Sequence, residues 1–135
     1  MQTTTIIKVR YAETDQMGIV HHSNYPIWFE VGRTDFLKNT SISYTSIEES
    51  GVILPLYELN CKFIAPAKYE DEITVITTLK SISCSRISFS YRVLNGLDNK
   101  LIATGETMHA WTNKELKPIN AKKVVPDVFL AFIDK

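Results

Sequence analysis

From Glu72 to Lys80 the residue character switches at every step, with Ile73, Val75, Thr77 and Leu79 interleaved between Glu72, Thr74, Ile76, Thr78 and Lys80. Ile87, Phe89, Tyr91 and Val93 alternate likewise with Ser88, Ser90 and Arg92. A period of two sends successive side chains to opposite faces of a strand, so each run predicts a strand with one buried face. Asn95-Gly96-Leu97-Asp98-Asn99 supplies a turn, and Leu101 to Thr112 is predicted as the next strand. Val52 to Ile64 reads as a further strand, with Pro55 near its start and Pro66 ending it, and Ile6 to Tyr11 reads as the first. Thr74, Ile76 and Thr78 leave the second face of the sheet semi-apolar, which predicts self-association there. Val128 to Ile133 is expected to close the chain as a short helix or strand.

Asn24 to Lys38 is the one long helical candidate. Ser23 or Asn24 is placed to cap it, since their side chains accept from first-turn amides, and Pro26 falls where its missing N–H costs nothing. Tyr25, Ile27, Trp28, Phe29, Val31, Phe36 and Leu37 spread around most of the circumference, which predicts a helix buried on most sides. Gly32 in its middle costs about 1 kcal/mol against alanine, so a close approach to another backbone is expected there. Asn39 to Ser50 reads as a polar connection. One strand, one buried helix and then four strands predict an α+β fold in which a long antiparallel sheet wraps the helix.

At 135 residues the chain has room for one domain, residues 1–135. Fifteen basic residues balance fifteen acidic ones, so nothing directs the chain to nucleic acid or an anionic membrane, both of which need a positive excess. The start, Met1 to Lys8, lacks a signal-peptide pattern, and no apolar run nears the roughly 18 residues needed to span a bilayer. A cytoplasmic protein with no membrane insertion is expected. Cys61 and Cys84 are too few for a disulfide scaffold, and with only His21, His22 and His109 no metal site is expected.

The stretch with chemical content is Tyr11-Ala-Glu-Thr-Asp-Gln-Met-Gly-Ile-Val-His-His-Ser-Asn-Tyr25. Asp15 stands in a loop that leads within eight or nine residues to the start of the buried helix. Helix N-termini carry unpaired amides and a partial positive charge of about half a unit, and a developing oxyanion is well held there. A carboxylate beside such a terminus is placed to act as general base or nucleophile. Gly18 lets the loop fold tightly. On the residues alone, an aspartate in such a loop is more often a turn former or a solvated charge, and adjacent histidines are more often packing or surface residues.

The run Tyr11-x-x-Thr14-Asp15-x-x-Gly18-x-Val20-x-His22-x-x-Tyr25, followed by Trp28-Phe29-Glu30 and Arg33, resembles the signature of the 4-hydroxybenzoyl-CoA thioesterase family, nearest its Tol-Pal-associated branch of short-chain acyl-CoA thioesterases. Cys61 to Ala67 and Tyr69 to Ile73 resemble that family's second block. The resemblance implies a hotdog fold, five or six antiparallel strands curled around a long helix. It also implies hydrolysis of an acyl-CoA by a homodimer or homotetramer with sites between subunits. No metal or bound cofactor is implied, coenzyme A being part of the substrate. Asp15 matches the catalytic carboxylate, Tyr11 and His22 match active-site positions, and the His22 N–H matches the amide that polarises the thioester oxygen. Gly18, Tyr25 and Arg86 are the expected substrate-binding residues. Lys62 and Lys68 are further candidates for the phosphates, and the neighbours of Arg86 depart from the basic cluster of a relative. The readings that compete are a non-catalytic acyl-binding module, an acyl-carrier-protein thioesterase, a hydratase on the same fold, and a thioesterase lineage with its carboxylate on the helix at Glu30.

Overall fold

The strands predicted by alternation form the centre of the sheet: β4 (Glu72–Ile82), β5 (Arg86–Asn95) and β6 (Leu101–Ala110) pair antiparallel in sequence order. The computed structural model describes residues 2–133. β1 (Gln2–Lys8) adds to β4 and β3 (Leu56–Phe63) adds to β6, giving the order β1-β4-β5-β6-β3. The first strand starts earlier than Ile6, because buried Thr3 and Thr5 alternate with exposed Gln2, Thr4 and Ile6. β-Branched threonines fill strand positions as aliphatic residues do. Tyr11 lies outside the strand, in a 3-10 turn from Tyr11 to Glu13.

The single strand expected from Val52 to Ile64 is two. Pro55, with no N–H to donate to a ladder, separates β2 (Val52–Ile53) from β3. β2 pairs instead with β7 (Thr112–Asn113) in a separate two-stranded ladder. The expected Leu101–Thr112 strand breaks at Trp111, whose N–H turns to the Ser85 carbonyl.

α1 spans Asn24–Lys38, as expected, and lies in the curl of the sheet with Tyr25, Trp28, Phe29, Gly32 and Phe36 buried. Phe29 stacks on Tyr91 with centroids 4.4 Å apart, and Phe36 meets Phe89 edge-on at 5.3 Å. Gly32 is closely approached, though by side chains of β4 rather than by the backbone expected: a methyl group there would collide with the Thr77 hydroxyl and stand 3.1 Å from Val75 Cγ1. The expectation of burial on most sides fails on one flank, where Ile27 is 54% and Val31 40% exposed. Part of the polar connection is a helix, α2 (Tyr44–Glu49), capped by Ser43, whose hydroxyl accepts from the Ser46 N–H. α3 (Ala121–Val124) and α4 (Pro126–Ile133) close one end of the core, with Phe129 and Phe132 against Trp111.

β3 is an edge strand with two unlike faces. Leu59, Cys61 and Phe63 stand opposite Thr107, Gly105 and Ala103, on the side that carries α1, whereas Asn60 and Lys62 stand opposite Glu106 and Thr104 on the outer side. Leu56, Tyr57, Leu59 and Phe63 are all exposed. Among the described residues, no helix is long and apolar enough to cross a membrane.

Candidate active site

After β1 the chain turns through Tyr11–Glu13 and then folds back as a tight hairpin, with Thr14 bridged to Val20. The Asp15 N–H donates to the Ile19 carbonyl (2.9 Å) and the Gly18 N–H to the Asp15 carbonyl (3.0 Å). Gly18 has φ +81°, a left-handed conformation that glycine adopts without steric cost. The Met17 N–H donates to Asp15 Oδ1 (2.8 Å), so Asp15 is a turn former as well as the hairpin's carboxylate. Only Oδ2 is left unengaged among the described residues.

The hairpin is fastened to α1 by Glu13, whose part the sequence reading missed. Glu13 is 4% exposed. Its Oε1 accepts from the Arg10 N–H (2.8 Å) and its Oε2 from Trp28 Nε1 (3.0 Å), with Arg10 Nη2 at 3.6 Å. Its carbonyl accepts from the His21 N–H (2.8 Å) and from Asn24 Nδ2 (2.9 Å). A buried carboxylate is tolerated when both oxygens are hydrogen-bonded. The sequence signal for it was Trp28, a buried indole whose N–H needs an acceptor.

At the mouth of α1 neither expected cap forms. Ser23 has helical dihedrals and turns its hydroxyl to His21 Nδ1 (2.8 Å), while the Asn24 side chain reaches back to Glu13 and His21. Both side chains serve the loop instead. The Ser23 N–H is taken by His21 Nδ1 (3.2 Å), whereas the His22 N–H has no acceptor among the described residues. An open amide at a helix start is a donor available to an anion.

Asp15, His22 and Tyr25 line one cleft of about 390 Å³ whose other walls are mainly apolar, among them Met17, Val20, Phe63 and Ile64. Phe63 meets the Tyr25 ring edge-on at 5.0 Å. Burial, followed by the neighbouring Cys61, pushes the Tyr25 hydroxyl up to about 12, so it keeps its proton at neutral pH. Burial also raises the Cys61 thiol. Tyr11 and Gly18 lie in a second depression that Asp15 also lines, together with Tyr69, onto which Tyr11 packs edge-on at 5.6 Å. The structure thus groups Asp15, His22 and Tyr25 in one cleft, and Tyr11 and Gly18 with Asp15 in the other depression. Arg86 lies apart, with its guanidinium 5.3 Å over the Tyr57 ring in a separate cleft. Lys62 is on the outer face of β3 and Lys68 bridges the hairpin at Ile19. Glu30 is exposed on α1 and lines neither depression at Asp15.

Residues 9–133 match the model of the Thioesterase-like superfamily. The chain belongs to that superfamily. A superfamily relative is YneP of Bacillus subtilis (strain 168), whose name assigns it acyl-CoA thioesterase activity provisionally; it is 36% identical over 127 residues, covering 93% of this chain and 91% of YneP. The acyl-CoA thioester hydrolase YbgC of Escherichia coli O157:H7 is 26% identical over 102 residues, covering 76% of this chain and 75% of its own. Among solved structures, the DHNA-CoA thioesterase of Staphylococcus aureus superposes with a TM-score of 0.91 at 33% identity, covering 98% of this chain and 89% of that one. The fold is the hotdog fold of these thioesterases.

Proposed function

We infer that the protein hydrolyses the thioester of an acyl-CoA, with a short or aromatic acyl group, to the free acid and coenzyme A. The observation that carries this reading is one cleft lined by both Asp15 and the residue with the open helix-mouth amide, His22. The carbonyl oxygen lies against the His22 N–H, where the helix field favours developing negative charge. Asp15 either takes a proton from water as its oxygen bonds the carbonyl carbon, or attacks that carbon itself and is freed by water. The C–S bond then breaks, and the electron pair leaves with sulfur. A thiol of pKa near 8.5 leaves readily as thiolate, so strong acid catalysis at sulfur is unnecessary. Tyr11 contributes from the second depression that Asp15 lines, and Tyr25 offers a protonated hydroxyl to the bound acyl group.

The superfamily resemblances to YneP, YbgC and the DHNA-CoA thioesterase support a coenzyme A thioester as substrate. No bound cofactor is required by these steps. Asp15→Asn is expected to lower thiol release from acyl-CoAs by about 10²-fold or more while the variant keeps the wild-type circular dichroism spectrum. A folded variant with near wild-type turnover removes Asp15 from the chemistry. The same assay run across short, long and aromatic acyl-CoAs, and on an acyl-carrier-protein thioester, separates the substrate classes. No thiol release from any of them supports the non-catalytic acyl-binding module.

The working form in this reading is a homodimer or homotetramer. β3 leaves backbone groups unpaired at the sheet edge and leaves apolar Leu59 and Phe63 exposed on the face that carries α1, whose flank at Ile27 and Val31 is also open. A second copy of β3 satisfies both. Antiparallel pairing of the two copies also sets the Tyr57–Arg86 end of one near the Phe63 end of the other, which gives Arg86 a route to the substrate's phosphates. The free thiols Cys61 and Cys84 fit a reducing compartment such as the cytoplasm.

A further inference from the structure

A second cleft, of about 350 Å³, opens between α1, α2 and β2, away from Asp15. Leu37, Ile47, Val52, Ile53, Leu54 and Phe89 give it apolar walls, and Arg33, Lys114 and Glu48 are its charged groups. Lys114 and Glu48 are exposed, whereas Arg33 is half-buried on α1. Among the described residues Arg33 has no carboxylate partner, and its one hydrogen bond runs from Nη1 to the Tyr91 hydroxyl at 3.0 Å.

That single bond is the end of a polar chain through the core, and the direction of every link is fixed. His109, 1% exposed, sits 3.1 Å from the Leu54 carbonyl through Nδ1, and a carbonyl only accepts, so Nδ1 carries the proton. Burial, with Arg33 adding to it, holds His109 down to about 4, so the ring is neutral and Nε2 is bare. Nε2 therefore accepts from the Thr107 hydroxyl at 2.9 Å. Thr107 in turn accepts from the Tyr91 hydroxyl at 2.6 Å, which leaves the phenol oxygen to accept from Arg33. The guanidinium is thereby held in place by neutral groups alone. A half-buried cation without a counter-ion is costly, and an anion that enters the cleft supplies one.

We propose that this cleft binds a small carboxylic acid with an apolar body, its carboxylate paired with Arg33 and its body against Leu37, Leu54 and Phe89. The planar fork of a guanidinium matches a carboxylate in shape, and one negative charge balances the one fixed positive charge. A phosphate dianion would leave excess charge against apolar walls. The choice of an acid of this class rests on the hydrolase reading, because thioester hydrolysis releases one.

The test titrates the full chain with benzoate and hexanoate by calorimetry, with benzamide as the uncharged control. Both acids are expected to bind, and benzamide at least ten-fold more weakly. Arg33→Met is expected to weaken acid binding at least ten-fold. Ile53→Trp, which fills the cleft mouth and leaves Arg33 in place, is expected to do the same if Arg33→Met fails to fold. Asp15→Asn is expected to bind the acids as the wild type does. Equal affinity for acid and amide, wild-type affinity in Ile53→Trp or in folded Arg33→Met, a change confined to Asp15→Asn, or no binding at millimolar acid each overturns the proposal. Thiol release measured on the same preparations keeps the two readings apart: acid binding without thiol release retains this cleft and removes the hydrolase.

Discussion

Glu13 and Trp28 hold together the two parts that the chemistry needs side by side, the hairpin with Asp15 and the open start of α1. Trp28→Phe removes the donor to Glu13 Oε2 while preserving most of the buried ring. It is expected to destabilise the protein by about 1–3 kcal/mol in urea unfolding, the usual cost of leaving a buried acceptor unpaired. It should also lower kcat with little change in KM, because the hairpin loses its anchor while the cleft walls stay. An unchanged unfolding midpoint would show that the Arg10 guanidinium satisfies that oxygen by itself. Asp15, Gly18 and the absent N-terminal cap illustrate what can be read from a string of letters. The hairpin's tightness followed from Gly18, and Asp15 was legible as either turn former or reactive group; in the fold it forms the turn and faces a cleft. The fate of Ser23 was not legible, because its hydroxyl had a competing local partner in His21 that only the backbone course reveals.

Among the elements, β4 and β5 were readable from alternation over seven to nine residues, β6 from the turn before it, and α1 from its length and its apolar residues on most sides. α2 was not: six residues rich in polar side chains show no usable periodicity, and the helix rests on its Ser43 cap and contact with β2. Pro55 was visible, but its consequence, transfer of Val52–Ile53 to a different ladder, depends on where β7 lies. The seat of α1 on the sheet is governed by Gly32. On helix propensity alone Gly32→Ala would stabilise by about 1 kcal/mol. The Thr77 hydroxyl, buried and without a hydrogen-bond partner among the described residues, occupies the space the methyl needs. Gly32→Ala is therefore expected to cost about 1–3 kcal/mol in denaturant melts, with much of the loss recovered in Gly32→Ala/Thr77→Ala. A stabilised single variant would mean that helix and sheet separate more easily than their packing implies.

At the level of assembly, the proposed meeting of two copies at the exposed edge β3 is open to a direct test. Leu59→Lys puts a charge on its apolar side and is expected to yield a monomer in sedimentation velocity runs, with thiol release largely lost. An oligomer of unchanged size would direct attention to the semi-apolar outer face at Thr74, Ile76 and Thr78 instead. Acid sensitivity is also a property of the entire fold. His109 is neutral in the folded chain down to about pH 4, against an ordinary value near 6.5, so the unfolded chain binds a proton that the folded one refuses. Stability is thus complete above pH 6.5 and falls as the pH drops to about 4, by on the order of 3 kcal/mol from this residue. His109→Gln should flatten that limb in urea melts between pH 7 and 4; an equally steep fall in the variant would place the acid response elsewhere. The order of the elements announced a sheet wrapped around one helix, and the resemblance of the Tyr11–Tyr25 run supplied the hotdog fold. The chain from Arg33 through Tyr91 and Thr107 to His109 left no trace in the sequence, because its members lie 58, 16 and 2 positions apart and meet only across the sheet.

One side-chain oxygen of Asp15 is spent on the Met17 amide, and this narrows what evolution or an engineer can place at that position. Glutamate keeps the charge but is one methylene too long to close so short a ring onto the backbone, and asparagine closes the ring but surrenders the charge. Shape and reactivity are therefore inherited together at a single codon, and neither is free to vary alone.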